Sequence, residues 1–143
     1  MSRKQEADAR KLPAINKRIL IADDDASLRD IFSIIFQSAG YAIEIKANGN
    51  DLLNDNYVIP DLFLIDKQLS GLDGLNICKY LKSRSRTSHI PVIIVSATPD
   101  IAALALGAGA DDYLEKPFPV SALLDKVAQH TSKKPKKAFI QET

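Results

Sequence analysis

At 143 residues the chain has room for one ordinary domain and two short tails. Its 45% apolar and 26% charged residues suit a globular fold, and a formal charge of +1 argues against binding nucleic acid or membrane by bulk charge. No apolar run approaches the ~18 residues that span a bilayer, and the charged start MSRKQEADARK lacks a signal-peptide core, so a cytoplasmic address is expected.

Residues 1–16 are polar with no sustained period and read as an N-terminal extension. The first predicted strand, RILIA at 18–22, runs straight into Asp23, Asp24 and Asp25. Leu28, Ile31, Phe32, Ile35 and Phe36 then paint one face of a helix, with Asp25 as its cap and Gly40 as its stop. A shorter strand, YAIEI at 41–45, leads to the turn Asn48-Gly49-Asn50 and a weak helix over 51–56, ending before Pro60. The third strand, 61–65, is a short apolar run of the kind buried on both faces of a sheet. It ends in Asp66, and a loop with Gly71 and Gly74 follows. Read alone, Asp66 fits a turn or cap as well as a site.

The next helix carries Leu75, Cys78 and Leu81 inward, with Lys79, Lys82 and Arg84 expected in water. Cys78, the one cysteine, reads as a buried thiol with no internal partner. Pro91 opens a fourth strand, VIIV, which ends at Ser96. A short helix, DIAALALGAGA, has no charged side chain over 101–110. The fifth strand lies in DDYLEKPF and is broken by Pro117, and the last helix, from about 119–120 to His130, turns Leu123, Leu124 and Val127 inward. His89 and His130 lack metal-ligand company in sequence and read as surface or C-terminal capping residues. The Lys-rich tail 133–143 reads as a solvated linker.

Strand and helix thus alternate five times with short connections, which predicts an α/β fold with one parallel sheet and helices on both faces. Right-handed crossovers make it doubly wound, with a crevice at the carboxyl ends of the strands. Asp23 and Asp24 follow the first strand and Asp66 ends the third; Ser96 ends the fourth and Lys116 the fifth. Three crowded carboxylates repel one another unless a cation joins them, and an oxygen-only donor set suits Mg²⁺. A carboxylate, a divalent cation, an ammonium and a hydroxyl are what phosphoryl transfer to a carboxylate needs, with Asp66 as nucleophile and Lys116 and Ser96 as catalytic supports.

The motifs ILIADDD, LIDKQLSGLDG, PVIIVSA and GADDYLEKPF, in this order, give residues 17–132 a resemblance to the receiver domain of two-component response regulators. The resemblance implies a flavodoxin-like sheet of order 2-1-3-4-5 and five helices. It implies a phosphoryl group passed to Asp66 from a sensor histidine kinase or phosphotransfer protein. Mg²⁺ would be held by Asp24, Asp66 and the backbone carbonyl of Gln68, and through water by Asp23. Tyr113 would be the aromatic switch that turns inward as Ser96 moves, with the fourth helix, fifth strand and fifth helix as the output face for a downstream protein. Gln68 and Thr98 would flank the attacking water; neither is acidic, so phosphoryl loss is expected not to be especially fast.

The chain departs from the family at three places. Ser70 stands where a proline is usual, implying a looser loop and one more N–H to satisfy. Lys67 replaces a commonly apolar residue, either snorkelling to solvent or tuning partner choice. The fourth helix is short and uncharged: either an Ala-rich helix of no further consequence, or a contact surface through Ile101, Leu104 and Leu106, a homodimer included.

The expected role is a stand-alone, phosphorylation-controlled interaction switch in two-component signalling, not an enzyme beyond its own phosphorylation and dephosphorylation. Its rivals are a degenerate receiver used as a constitutive module, a receiver cut from a longer regulator, and an aspartyl-nucleophile phosphatase. Gln68 stands where such a phosphatase carries its second Asp.

Overall fold

The structure is a computed structural model that describes residues 17–131. The N-terminal extension 1–16, Ser132 and the tail 133–143 lie outside the described residues. The main sheet comprises β1 (Arg18–Ala22), β2 (Ala42–Lys46), β3 (Leu62–Asp66), β4 (Val92–Ser96) and β5 (Asp112–Glu115). Its helices are α1 (Ala26–Ser38), α2 (Asn50–Leu53), α3 (Gly74–Ser83), α4 (Ile101–Gly107) and α5 (Val120–Thr131). All neighbouring strands are parallel in the order β2-β1-β3-β4-β5. The predicted doubly wound, flavodoxin-like arrangement is therefore the observed one.

The two-residue alternation of the strands builds two cores. Ile19 and Ile21, Leu62 and Leu64, and Ile93 and Val95 pack with Phe32 and Phe36 of α1 and Leu123 and Val127 of α5. Leu20, Phe63, Ile65, Val92 and Ile94 face the other way, against Leu52, Ile77, Leu81 and Ala105 from α2, α3 and α4. β3 and β4 are buried along their whole length, as central strands of a two-faced sheet must be. The edges β2 and β5 are only partly covered. With strand direction shared, the carboxyl ends of β1, β3, β4 and β5 meet on one rim.

Several local expectations need correction. α2 is one turn, shorter than the expected 51–56, because Asp55 takes a left-handed φ of 58° and turns to pair with Arg84 and Arg86. Arg84 is therefore not simply in water. Lys82 is not either: its ammonium donates to Asp111 at 2.7 Å and to the Ile90 carbonyl at 2.8 Å, pinning α3 to the start of β4. His130 stands in the last turn of α5, as expected of a C-terminal basic residue, but is not a free surface group: its Nε2 lies 2.9 Å from Asp112 Oδ2, across from α5 to β5. Ile101 is buried in the core, so it cannot belong to a contact surface, whereas Leu104 and Leu106 are 41% and 64% exposed. Cys78 is buried as expected; burial pushes its thiol up to about 11, which leaves it a poor nucleophile.

Candidate functional site

The rim holds an open cleft of about 390 Å³ lined by Asp24, Asp66, Gln68, Ser96, Thr98 and Lys116, with Asp25 and Ala97 completing its wall. Backbone bonds between loop ends fix its shape. The Lys116 N–H donates to the Ser96 carbonyl at 2.8 Å, and the Lys67 N–H donates to the Val95 carbonyl at 2.9 Å. The Lys116–Pro117 peptide is cis.

Asp66 is 9% exposed and held at both oxygens. Lys116 Nζ donates to Oδ2 at 3.1 Å, and the Gln68 N–H donates to Oδ1 at 3.2 Å. Gly74, opening α3, lies so close behind it that an added Cβ would stand 2.2 Å from the Asp66 carbonyl oxygen. Only glycine lets α3 begin there without displacing the Asp66 backbone. The glycine is visible in the sequence; that close approach is not.

Asp23 is buried at 1% exposure and accepts the Asp25 N–H at 2.9 Å, while the Arg29 guanidinium donates to its backbone carbonyl. Burial pushes its carboxyl up to about 6, the Asp25 N–H pulls it back, and the neighbouring Asp66 charge raises it further. Asp24 is exposed, and its Oδ2 accepts both the backbone N–H of Ser70 at 2.8 Å and the Ser70 hydroxyl at 3.0 Å. The expectation of a looser loop at Ser70 is therefore wrong: the extra N–H is satisfied and ties the loop to β1. No sequence signal marks a contact across 46 positions.

Asp23, Asp24 and Asp66 each offer a carboxylate oxygen within 4.8 Å of the others. Lys116 pairs with Asp66 alone among them. An all-oxygen, electron-rich donor set beside a solvent-open cleft fits a hard divalent cation that keeps some of its waters, which is the habit of Mg²⁺.

The other expected site residues fall in two groups. Ser96, buried at the end of β4, accepts the Thr98 N–H on its hydroxyl at 2.9 Å, and Thr98 and Gln68 both line the cleft. Tyr113 lies outside the cleft lining, half-buried on β5, with the Lys126 ammonium 5.0 Å from its ring centroid. Lys67 reaches neither solvent alone nor the cleft; it pairs with Asp73 at 3.8 Å, the residue that caps α3.

The profile of the response regulator receiver domain matches residues 19–128. The chain belongs to the response regulator receiver family. The receiver is 33% identical over 119 residues to the DNA-binding response regulator MtrA of Mycobacterium tuberculosis, covering 81% of this chain and 51% of the relative. It is 37% identical over 115 residues to the DNA-binding dual master transcriptional regulator RpaA of Synechocystis, covering 77% and 47%. It thus spans about half the length of these curated relatives. Among solved structures, a response regulator from Chloroflexus aurantiacus superposes with a TM-score of 0.77 at 30% identity, covering 82% of this chain and 99% of that one. The response regulator TrrA of Thermotoga maritima, solved in complex with Mg(2+)-BeF, gives 0.71 at 28%, covering 80% and 98%.

Proposed function

We propose that the receiver takes a phosphoryl group onto Asp66 from a phosphohistidine of a sensor kinase or phosphotransfer protein, and works as a phosphorylation-controlled interaction switch in the cytoplasm. The observation that carries this reading is the Lys116 ammonium 3.1 Å from Asp66 Oδ2, in one cleft with the carboxylate of Asp24 and beside that of Asp23. Asp66 needs no base to activate it. One of its oxygens attacks phosphorus as the bond to the donor nitrogen breaks, leaving a mixed anhydride.

Lys116 is placed to shift its donation from the carboxylate to an equatorial phosphoryl oxygen, and Ser96 to offer its hydroxyl to another. Mg²⁺ bound at Asp23, Asp24, Asp66 and the Gln68 carbonyl would neutralise the charge gathering on those oxygens. Gln68 and Thr98 supply no general base, so water is not activated at the anhydride and the phosphoryl group persists. Movement of Ser96 toward the phosphoryl group vacates space that Tyr113 fills, which reshapes the α4–β5–α5 face.

The expectation against nucleic acid rested on overall charge, and it does not extend to a larger assembly: MtrA and RpaA are DNA-binding regulators by name, and this chain corresponds to about half of each. The chain itself is read as a signalling module, with a second protein or domain as the receiver of its output. Among the described residues no helix is long and apolar enough to cross a membrane.

Acetyl phosphate with Mg²⁺ should add one base-labile phosphoryl group to the protein, seen by mass spectrometry, and Asp66→Asn should abolish it. An equal adduct on the variant would place the acceptor elsewhere, and no adduct on either would leave a constitutive module.

A further inference from the structure

Between β3 and α3 the chain forms a miniature hairpin: Gln68 pairs with Asp73 and Leu69 with Leu72, antiparallel. Its two tip residues are Ser70 at φ +45° and Gly71 at φ +91°. Left-handed φ at both central positions is the geometry of a two-residue hairpin turn whose twist matches its strands. Proline, locked near φ −65°, cannot occupy the first position, and it also lacks the N–H that Asp24 accepts.

The two bonds from Ser70 converge on the same atom, Asp24 Oδ2. A carboxylate has about four acceptor sites, two on each oxygen, so both sites of Oδ2 are taken and Oδ1 remains. Small Mg²⁺ takes carboxylates one oxygen at a time in a strict octahedron, whereas larger Ca²⁺ gains from bidentate carboxylates and more ligands. We propose that Ser70 is a positioning residue for the metal site: it fixes the rotation of Asp24 and leaves one oxygen for a cation, which selects Mg²⁺ over Ca²⁺. This rests on the reading of Asp23, Asp24 and Asp66 as a cation site.

The test is calorimetric titration of the full chain with Mg²⁺ and, separately, Ca²⁺. Ser70→Gly keeps the left-handed turn and the N–H and loses only the hydroxyl; Ser70→Pro loses both donors. Removing hydrogen-bond partners of a ligating carboxylate typically weakens metal binding by about 10–100-fold, so Ser70→Pro should bind Mg²⁺ at least about tenfold more weakly. Ser70→Gly should fall between it and the natural chain. Ca²⁺ should weaken less in both, so the Mg²⁺-to-Ca²⁺ affinity ratio falls; a change in loop order alone would weaken both cations together.

Affinities and ratio unchanged within about twofold in Ser70→Gly, or equal losses for both cations, would overturn the proposal. If circular dichroism shows that Ser70→Pro does not fold, the glycine variant decides. Asp24→Asn separates the two readings. If the natural chain binds no Mg²⁺ and Asp24→Asn changes nothing, the cation site itself fails and the role of Ser70 falls with it. If Asp24→Asn abolishes binding while both Ser70 variants bind normally, only the role of Ser70 fails.

Discussion

Asp23 is a carboxyl at 1% exposure that, among the described residues, accepts the Asp25 N–H and has no cationic side chain bonded to its carboxylate, an arrangement that costs stability when it ionises. Its folded value of about 6 lies above the ordinary 3.8, so between those values the native state holds the proton more tightly than the unfolded chain. The contribution is complete below pH 4, is lost as pH rises toward 6, and stays lost above that. Asp23→Asn removes the titrating group. In EDTA at pH 7.5 it should therefore stabilise the protein by on the order of 2 kcal/mol, with little effect at pH 4, read by urea unfolding at each pH. On the proposed reading of the acidic cluster as a cation site, the same variant should also bind Mg²⁺ more weakly. At this scale the convergence of Asp24, Asp66 and Lys116 was legible because each lies at the carboxyl end of a strand of the parallel sheet. The tie from Ser70 to Asp24 was not: it depends on a turn dihedral and a partner 46 residues away, and neither leaves a mark in local composition.

The elements were legible where burial is two-sided or strictly periodic. β3 and β4 are apolar runs up to their last residue and lie close to where their patterns put them, and so does α1, although Ile31 of its expected apolar face is 48% exposed. α2 and the edge strands were less so, because a single turn and a half-wet strand bury too little to impose a pattern. α4 shows the limit of composition. Its lack of charge pointed equally to core and to interface, and the structure divides it: Ile101 and Ala105 face inward while Leu104 and Leu106 face out. Fully burying an exposed leucine contributes about 1.5–3 kcal/mol, enough for two of them to bias an equilibrium between monomer and dimer. Leu104→Lys with Leu106→Lys should leave acetyl phosphate labelling of Asp66 unchanged and abolish any phosphorylation-dependent increase in mass seen by light scattering. An increase that persists in the double variant would place the contact on another face.

On the scale of the whole molecule, the sheet is closed at its β5 edge by a clasp that joins strand to C-terminal helix. Asp112 on β5 accepts Lys126 at 2.6 Å and His130 at 2.9 Å, both from α5, and its Oδ1 also accepts the Tyr113 N–H at 2.8 Å. Burial alone would raise this carboxyl, but the hydrogen bonds from Lys126, His130 and Tyr113 outweigh it and hold it below the ordinary carboxylate range. The sign is opposite to that of Asp23: stability is present above the unfolded value of 3.8 and is lost as pH falls through the lower folded value. Asp112→Asn leaves Lys126, His130 and the Tyr113 N–H facing a weaker acceptor, so it should destabilise the protein at pH 7 by about 1.5–3 kcal/mol, the range for hydrogen bonds to charged groups. The gap between variant and natural chain should narrow steadily below pH 4 in urea unfolding; a gap constant down to pH 2.5 would mean that packing, not charge, holds the clasp. Because Lys126 also sits over the Tyr113 ring, the clasp and the expected switch share one residue. Loosening α5 should then free that ring, and the aromatic proton shifts of Tyr113 in Asp112→Asn, measured by NMR without phosphoryl donor, should move away from those of the natural chain.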